Sequence, residues 1–235
     1  NPISLAHTVM STNFISGGRL IFGVGAGGTF NDSQVNEWES FGIDHTTRGS
    51  RLDETLNILT MFSNNDEVEF KGKHFDINTK PIFKNIRAAQ NYPILCVCHG
   101  RSNIKSQFIR AAKHQGLISI SDYPNEFKFA ITKMNEFANT LGRCPKQYQS
   151  VFYMTININN DPTKAEMEAD SFIEQYYGIN IWKERWGPFG EATKIIDRIN
   201  QYIEAGATTV IFRFASFNQM QQLERFCEQI QNKIQ

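Results

Sequence analysis

Five short apolar runs, each followed by a stretch with helical spacing, constrain this chain more than any other feature. The runs are Arg19 to Gly25, Pro93 to Cys98, Leu117 to Ser121, Val151 to Ile158 and Thr209 to Phe214. They are nearly continuous in apolar residues rather than alternating, the pattern of strands covered on both faces. Between and after them, residues 47–62, 102–114, 125–141, 163–177, 190–205 and 218–234 place their apolar side chains on one helical face, as Leu52, Leu56, Leu59 and Phe62 do. A helix on every crossover makes a right-handed parallel sheet the expected outcome, so the fold class is α/β.

A (β/α)8 barrel takes roughly 250 residues, and a chain of 235 residues is read as one domain, 1–235. Five strands do not close an eight-stranded barrel. The chain also opens directly in a helical pattern, Pro2 to Phe14, stopped by Ser16-Gly17-Gly18. The pattern therefore predicts an incomplete parallel barrel. Two segments interrupt the alternation. Thr29 to Asp44 is polar, holds Trp38 and Phe41, and reads as a long loop. Val68-Glu69-Phe70 and His74 to Ile77 flank Lys71-Gly72-Lys73, a period-two pattern around a glycine that predicts an inserted β-hairpin.

Charge narrows the partners. Lys and Arg number 24, Asp and Glu also 24, and both signs are scattered, so no basic stripe is available for nucleic acid or anionic lipid. No apolar stretch reaches the ~20 residues of a membrane span. Cys96, Cys98, Cys144 and Cys227 lack a disulfide framework. These features predict a cytoplasmic protein whose partner is a small-molecule substrate.

In a parallel barrel the chemistry lies at the C-terminal strand ends. After the first run comes Gly23-Val24-Gly25-Ala26-Gly27-Gly28, whose backbone is free to approach a flat ring or a phosphate, or simply to pack tightly. After the second comes Cys98-His99-Gly100-Arg101-Ser102-Asn103. With Ser102 or Asn103 as N-cap, this segment sets helix N–H groups beside Arg101, a favourable phosphate site; the plainer alternative is a capped helix and a solvated arginine. A metal is not expected, because Cys96 and Cys98 fall on one strand face and His99 on the other.

Ser121-Asp122-Tyr123-Pro124 and Arg213-Phe214-Ala215-Ser216 end two further strands, where each sequence either meets a ligand or caps a helix. Arg213, inside a strand, calls for a structural ion pair or a ligand anion. Trp182, Trp186, Tyr176 and Tyr177 are read as core, with a pocket wall as the alternative. No histidine has the neighbours of a nucleophilic triad.

The order of these segments resembles the luciferase-like family of bacterial luciferase-type FMN monooxygenases and F420-dependent oxidoreductases. The resemblance rests on Asn1-Pro-Ile-Ser-Leu-Ala6, on Ile15 to Gly27, and on Phe41-Gly42 with Arg48 to Glu54. It continues through Val68 to Phe75, Tyr92 to Gly100, Gly187-Pro-Phe-Gly190, Tyr202 to Gly206 and Arg213 to Ser216. It implies a TIM barrel lacking its N-terminal strands, a partial barrel made of strands four to eight. It also implies an oxidoreductase using reduced FMN or coenzyme F420, by monooxygenation or hydride transfer on a small organic substrate. The cofactor would lie against Gly25, Ala26, Gly27, Cys98, His99, Gly100, Arg101, Ser102 and Asn103. Catalytic residues stay unassigned, since in the family they come largely from the first three strands. A homodimer or related heterodimer is expected. The alternative is a non-catalytic flavin-binding or auxiliary subunit.

Overall fold

The computed structural model describes residues 1–80, 92–181 and 183–234. Trp182 lies outside the described residues. The chain divides into two compact units, Asn1–Leu95 and Cys96–Gln235.

In the first unit, α1 (Pro2–Ile15) starts on the Asn1 side chain, which accepts from the Ile3 and Ser4 N–H groups. It ends where the Gly18 N–H returns to the Asn13 carbonyl with Gly17 and Gly18 at positive φ, the glycine stop expected from sequence. β1 (Phe22–Val24) is only three residues long with Val24 alone buried, so the expectation of a strand covered on both faces fails here. Its Phe22 N–H donates to the Pro93 carbonyl.

The segment read as a loop contains α2 (Asp32–Ser40), capped by the Asn31 side chain. This helix buries none of its residues, so it carries no apolar stripe for a periodicity argument to find. α3 (Arg48–Asn64) buries Leu56, Ile58, Leu59 and Phe62. The predicted hairpin is present as antiparallel β2 (Val68–Lys71) and β3 (Asp76–Thr79). Its turn is pinned by Glu54, whose carboxylate accepts from the N–H groups of Lys73 (2.7 Å), His74 (2.9 Å) and Phe75 (3.1 Å).

β4 (Ile94–Val97) runs across the division. The second unit then alternates α4 (Lys105–Lys113), β5 (Gly116–Ser119), α5 (Pro124–Thr140), β6 (Gln149–Ile158), α6 (Pro162–Tyr177), β7 (Phe189–Gly190), α7 (Ala192–Glu204), β8 (Thr209–Phe214) and α8 (Gln219–Gln229). Every strand pair here is parallel: β4 with β5, β5 with β6, β6 with β8, and β7 with the end of β6.

β6 is the spine, since Val151 faces Ile118 of β5 on one edge and Thr209 of β8 on the other. One face of β6 packs against helices: Phe152 stacks on Tyr202 of α7 with ring centroids 3.7 Å apart and meets Phe127 of α5 edge-on at 5.4 Å. Phe212 of β8 likewise meets Phe226 of α8. By strand alternation Tyr153, Thr155, Ile211 and Arg213 share the opposite face, and the register sets Tyr153 beside Ile211 and Thr155 beside Arg213.

Candidate functional site

The segment after β4 does not enter a helix at Ser102. Gly100–Ser102 form a 3-10 turn, Asn103 takes a left-handed conformation (φ 47°, ψ 32°), and α4 begins at Lys105 after Ile104. The Ser102 hydroxyl turns back to the His99 carbonyl at 2.9 Å, and neither Ser102 nor Asn103 caps the helix. A left-handed residue cannot continue into a right-handed first turn, which is why the predicted boundary is three residues early.

The turn's donors are largely consumed within the protein. The His99 N–H donates to Gln107 Oε1 (3.1 Å), the Gly100 N–H to Asp122 Oδ2 (2.6 Å), the Ser102 N–H to the His99 carbonyl (3.3 Å) and the Asn103 N–H to the Gly100 carbonyl (3.3 Å). Among the described residues only the Arg101 N–H of these five is uncommitted, and the Arg101 side chain is exposed. Among the described residues these N–H groups do not converge at a helix terminus, since α4 begins only at Lys105. The turn offers instead an exposed guanidinium beside one donor.

Asp122 explains the arrangement. It is fully buried, and its Oδ2 also accepts from the Ser119 hydroxyl at 2.9 Å. Its Oδ1 lies 3.8 Å from His99 Nδ1, beyond hydrogen-bond reach, and neither atom has a hydrogen-bond partner among the described residues. Burial pushes the His99 pKa below its ordinary value; Asp122 opposes this and Arg101 reinforces it, the net direction being down. The Asp122 carbonyl accepts from the Tyr202 hydroxyl at 2.6 Å, and burial raises that phenol to about 12.

The floor of the turn is α5. A Cβ on Gly100 would stand 1.9 Å from the Glu126 carbonyl oxygen, so only glycine permits this approach. Glu126 reaches back to the Tyr123 N–H (2.8 Å) and pairs in bidentate fashion with Arg185 (2.8 and 3.1 Å). The Arg185 hydrogen bond holds the Glu126 carboxyl below its ordinary range against the opposing effect of burial. Arg185 also donates to the Ser121 carbonyl and lies over the Tyr123 ring, 4.5 Å from its centroid.

Glu126 and Arg185 escaped the sequence reading. The spacing of Tyr123 and Glu126 around Pro124, an acceptor three residues into a helix, was the available signal. Cys96 and Cys98 are both buried, Cys98 turns its Sγ to the Gln107 carbonyl, and burial pushes its thiol up, so it presents no reactive thiolate.

In the first unit, the run Gly25-Ala26-Gly27 follows β1 without regular structure, with Gly25 and Gly27 exposed. Gly27 has φ +81°, and a Cβ there would stand 2.6 Å from the Trp38 ring. The Trp38 indole N–H donates to the Gly28 carbonyl at 3.3 Å. Here the glycines make room for an aromatic side chain of the same unit.

Arg213 departs from the expected ion pair. Its Nε and Nη2 donate to the Thr155 hydroxyl (3.2 and 2.8 Å) and its Nη1 to the Tyr177 hydroxyl (2.7 Å). The guanidinium carbon lies 4.4 Å from the Trp186 ring centroid and 5.4–5.9 Å from those of Tyr177, Tyr153 and Tyr176. Trp186 is buried and Tyr177 partly so against Ile173 and Phe189, while Tyr176 is exposed. Aromatic faces and hydroxyls stand where a carboxylate was expected; the acidic side chain at this end of β8, Glu168, is taken up by the Asn157 amide, the Ser216 hydroxyl and the Phe217 N–H.

Comparison with known proteins agrees with this architecture. A profile described as luciferase-like monooxygenase matches residues 1–208. The 5,10-methylenetetrahydromethanopterin reductase of Methanopyrus kandleri is 20% identical over an alignment covering 90% of this chain and 72% of its own. The F420-dependent glucose-6-phosphate dehydrogenase of Amycolatopsis mediterranei is 22% identical, covering 100% and 75%. Among solved structures, an F420-dependent secondary alcohol dehydrogenase in complex with an F420-acetone adduct superposes with TM-score 0.77 at 19% identity, covering 100% of this chain and 76% of that one.

The oxygenating constituent of 3,6-diketocamphane monooxygenase from Pseudomonas putida, in complex with FMN, gives 0.67 at 16% identity, covering 100% and 76%. These structural likenesses establish a shared α/β fold. The profile covers more than half of the chain, and its match, the parallel strand order and the hairpin after α3 lead to one assignment: the chain belongs to the luciferase-like monooxygenase family, whose named relatives are enzymes.

Proposed function

We propose that the chain forms the fourth to eighth strands of a (β/α)8 barrel in an oxidoreductase that uses reduced F420 or FMN on a small organic substrate. Named relatives are F420-dependent and one structural neighbour holds FMN. When bound, such a cofactor supplies a hydride or, as a flavin, reacts with oxygen. The observation carrying the reading is the turn after β4, where an exposed Arg101 stands beside its own uncommitted N–H.

A phosphate fits there through the Arg101 guanidinium and one backbone donor. In this reading Ser102 and Asn103 shape the turn, Gly100 seats it on α5, His99 and Cys98 line its base, and Asp122 fixes the Gly100 N–H. Gly25, Ala26 and Gly27 are proposed as cofactor contacts on family resemblance alone, because Trp38 already uses the space the glycines leave.

Titration of the wild type and Arg101→Ala with F420 and with FMN tests this, read by cofactor fluorescence. The expected result is micromolar or tighter binding of one cofactor, weakened about tenfold, or ~1.4 kcal/mol, by the substitution. Equal affinity in both proteins removes Arg101 from the site.

One observation favours a second reading. The buried Asp122 carboxylate already takes the Gly100 N–H and places a negative charge under the turn, which disfavours a phosphate. On this reading the chain is an auxiliary subunit that pairs with a second copy or a related chain, and neither cofactor binds.

A further inference from the structure

Arg213 is a half-buried cation whose hydrogen-bond and ring partners among the described residues are all formally neutral. Its hydrogen bonds run to the Thr155 and Tyr177 hydroxyls, and the rings of Trp186, Tyr177, Tyr153 and Tyr176 surround it. It forms no ion pair with a carboxylate among the described residues. The nearby carboxylate on α6, Glu168, is turned away; it accepts from the Asn157 amide, the Ser216 hydroxyl and the Phe217 N–H.

A guanidinium carries five N–H donors, and these bonds commit three, one on each nitrogen. The remaining two sit one on each terminal nitrogen, the spacing that a carboxylate accepts in bidentate fashion. The Tyr153 hydroxyl also lies within hydrogen-bonding influence of the guanidinium, a neutral neighbour that an incoming carboxylate displaces from one of these donors. Thr155 holds the Nε and Nη2 side of the plane and Trp186 its face, so the fork is oriented before any ligand arrives.

The placement is that of a ligand site. Arg213 is the penultimate residue of β8, at the C-terminal end of a parallel strand, and shares with Tyr153 and Thr155 the sheet face opposite the one packed by α5, α7 and α8. In α/β folds ligands bind outside these strand ends. A purely structural arginine at this depth would be expected to carry a carboxylate partner.

The structure assigns to Arg213 the role of anchor for the carboxylate of a small, singly charged, planar organic anion. One guanidinium balances one negative charge. The surrounding ring faces are themselves electron-rich and would disfavour the second charge of a phosphate dianion, whereas flat walls suit a conjugated or aromatic acid. The site is independent of which cofactor, if any, the turn at Arg101 accepts.

The test is isothermal titration of the full chain, without cofactor, using benzoate, acetate and inorganic phosphate, with Arg213→Gln and Tyr177→Phe as variants and circular dichroism as the check on folding. Benzoate should bind the wild type at one site, more tightly than acetate or phosphate, and Arg213→Gln should weaken it at least tenfold. Tyr177→Phe removes the acceptor that competes for Nη1 and should tighten benzoate binding severalfold. That variant decides the matter if Arg213→Gln fails to fold.

No benzoate binding to the wild type, equal binding to Arg213→Gln, unchanged binding to Tyr177→Phe, or tighter binding of phosphate than benzoate would each overturn the assignment. Since neither F420 nor FMN enters this titration, its failure leaves the cofactor reading untouched. The cofactor titration in turn says nothing of Arg213.

Discussion

The Gly100 N–H donates to the Asp122 carboxylate at 2.6 Å, so the turn after β4 closes on an anion from its own chain. That bond couples the end of one strand to the loop after the next. It also creates the electrostatic conflict between the two functional readings.

Asp122→Asn keeps an oxygen for the Gly100 N–H and removes the charge. Stability should fall by about 1–2 kcal/mol, as for a weakened hydrogen bond to a buried charged group, while affinity for F420 or FMN rises severalfold. Urea midpoints and cofactor titrations read the two effects separately. A gain in cofactor binding with no loss of stability contradicts the buried bond.

His99 supplies a pH dependence. Its folded-state pKa lies below the unfolded value of about 6.5, so the unfolded chain takes up the proton more readily. This contribution to stability is present above pH ~6.5 and is lost as pH falls from there through the folded pKa. Urea midpoints at pH 7.5 and 5.5 should differ more in the wild type than in His99→Gln. Identical differences would show that His99 is not the group responsible.

Gly100→Ala drives a methyl group into the Glu126 carbonyl oxygen, 1.9 Å away before relaxation. Both partners are backbone, so the turn or the start of α5 must move. The expected cost is about 1–3 kcal/mol, in the range of overpacked sites, measured as a lower denaturation midpoint. Because Glu126 also holds Arg185, amide chemical shifts around Arg185 should change with it.

Glu54→Gln should loosen the hairpin turn without unfolding the chain. Burial alone would raise the Glu54 pKa, but the N–H groups of His74, Lys73 and Phe75 outweigh it and the net direction is down. The carboxylate's contribution is therefore present above its unfolded value and disappears as pH falls through the folded one. Hydrogen-exchange protection factors at Lys73, His74 and Phe75, corrected for the intrinsic rate at each pH, should fall in the variant and, in the wild type, at acid pH. Unchanged protection would mean the turn does not depend on Glu54.

What was legible in the sequence follows physical lines. β6 announced itself because burial on both faces demands continuous apolar residues, as in Val151 to Ile158; β8 is as apolar in sequence although none of its residues is buried. The hairpin was legible from its glycine and its alternation. By contrast, α2 buries nothing, so no stripe marked it.

Asn103 in the left-handed region displaced the start of α4, and nothing in Gly100-Arg101-Ser102-Asn103 requires that conformation. The site's key contacts are non-local: Gly100 to Asp122 spans 22 positions, Arg213 to Tyr177 spans 36 and Arg213 to Thr155 spans 58. Sequence placed Arg213 and Asp122 at strand ends, and only the folded chain supplied their partners.

The position of β6 between β5 and β8 has a consequence for synthesis. Val151 to Ile156 pair on one edge with Thr209 to Phe214, residues that leave the ribosome some 58 positions later, the separation of Ser150 and Thr208. Parallel pairing over that distance is slow to form. Until β8 emerges, an apolar strand shows an open hydrogen-bonding edge to every other nascent copy. Expression yield should therefore depend on how fast the stretch from α6 to β8 is translated, and a pause placed there is a hazard of aggregation rather than of misassembled chemistry.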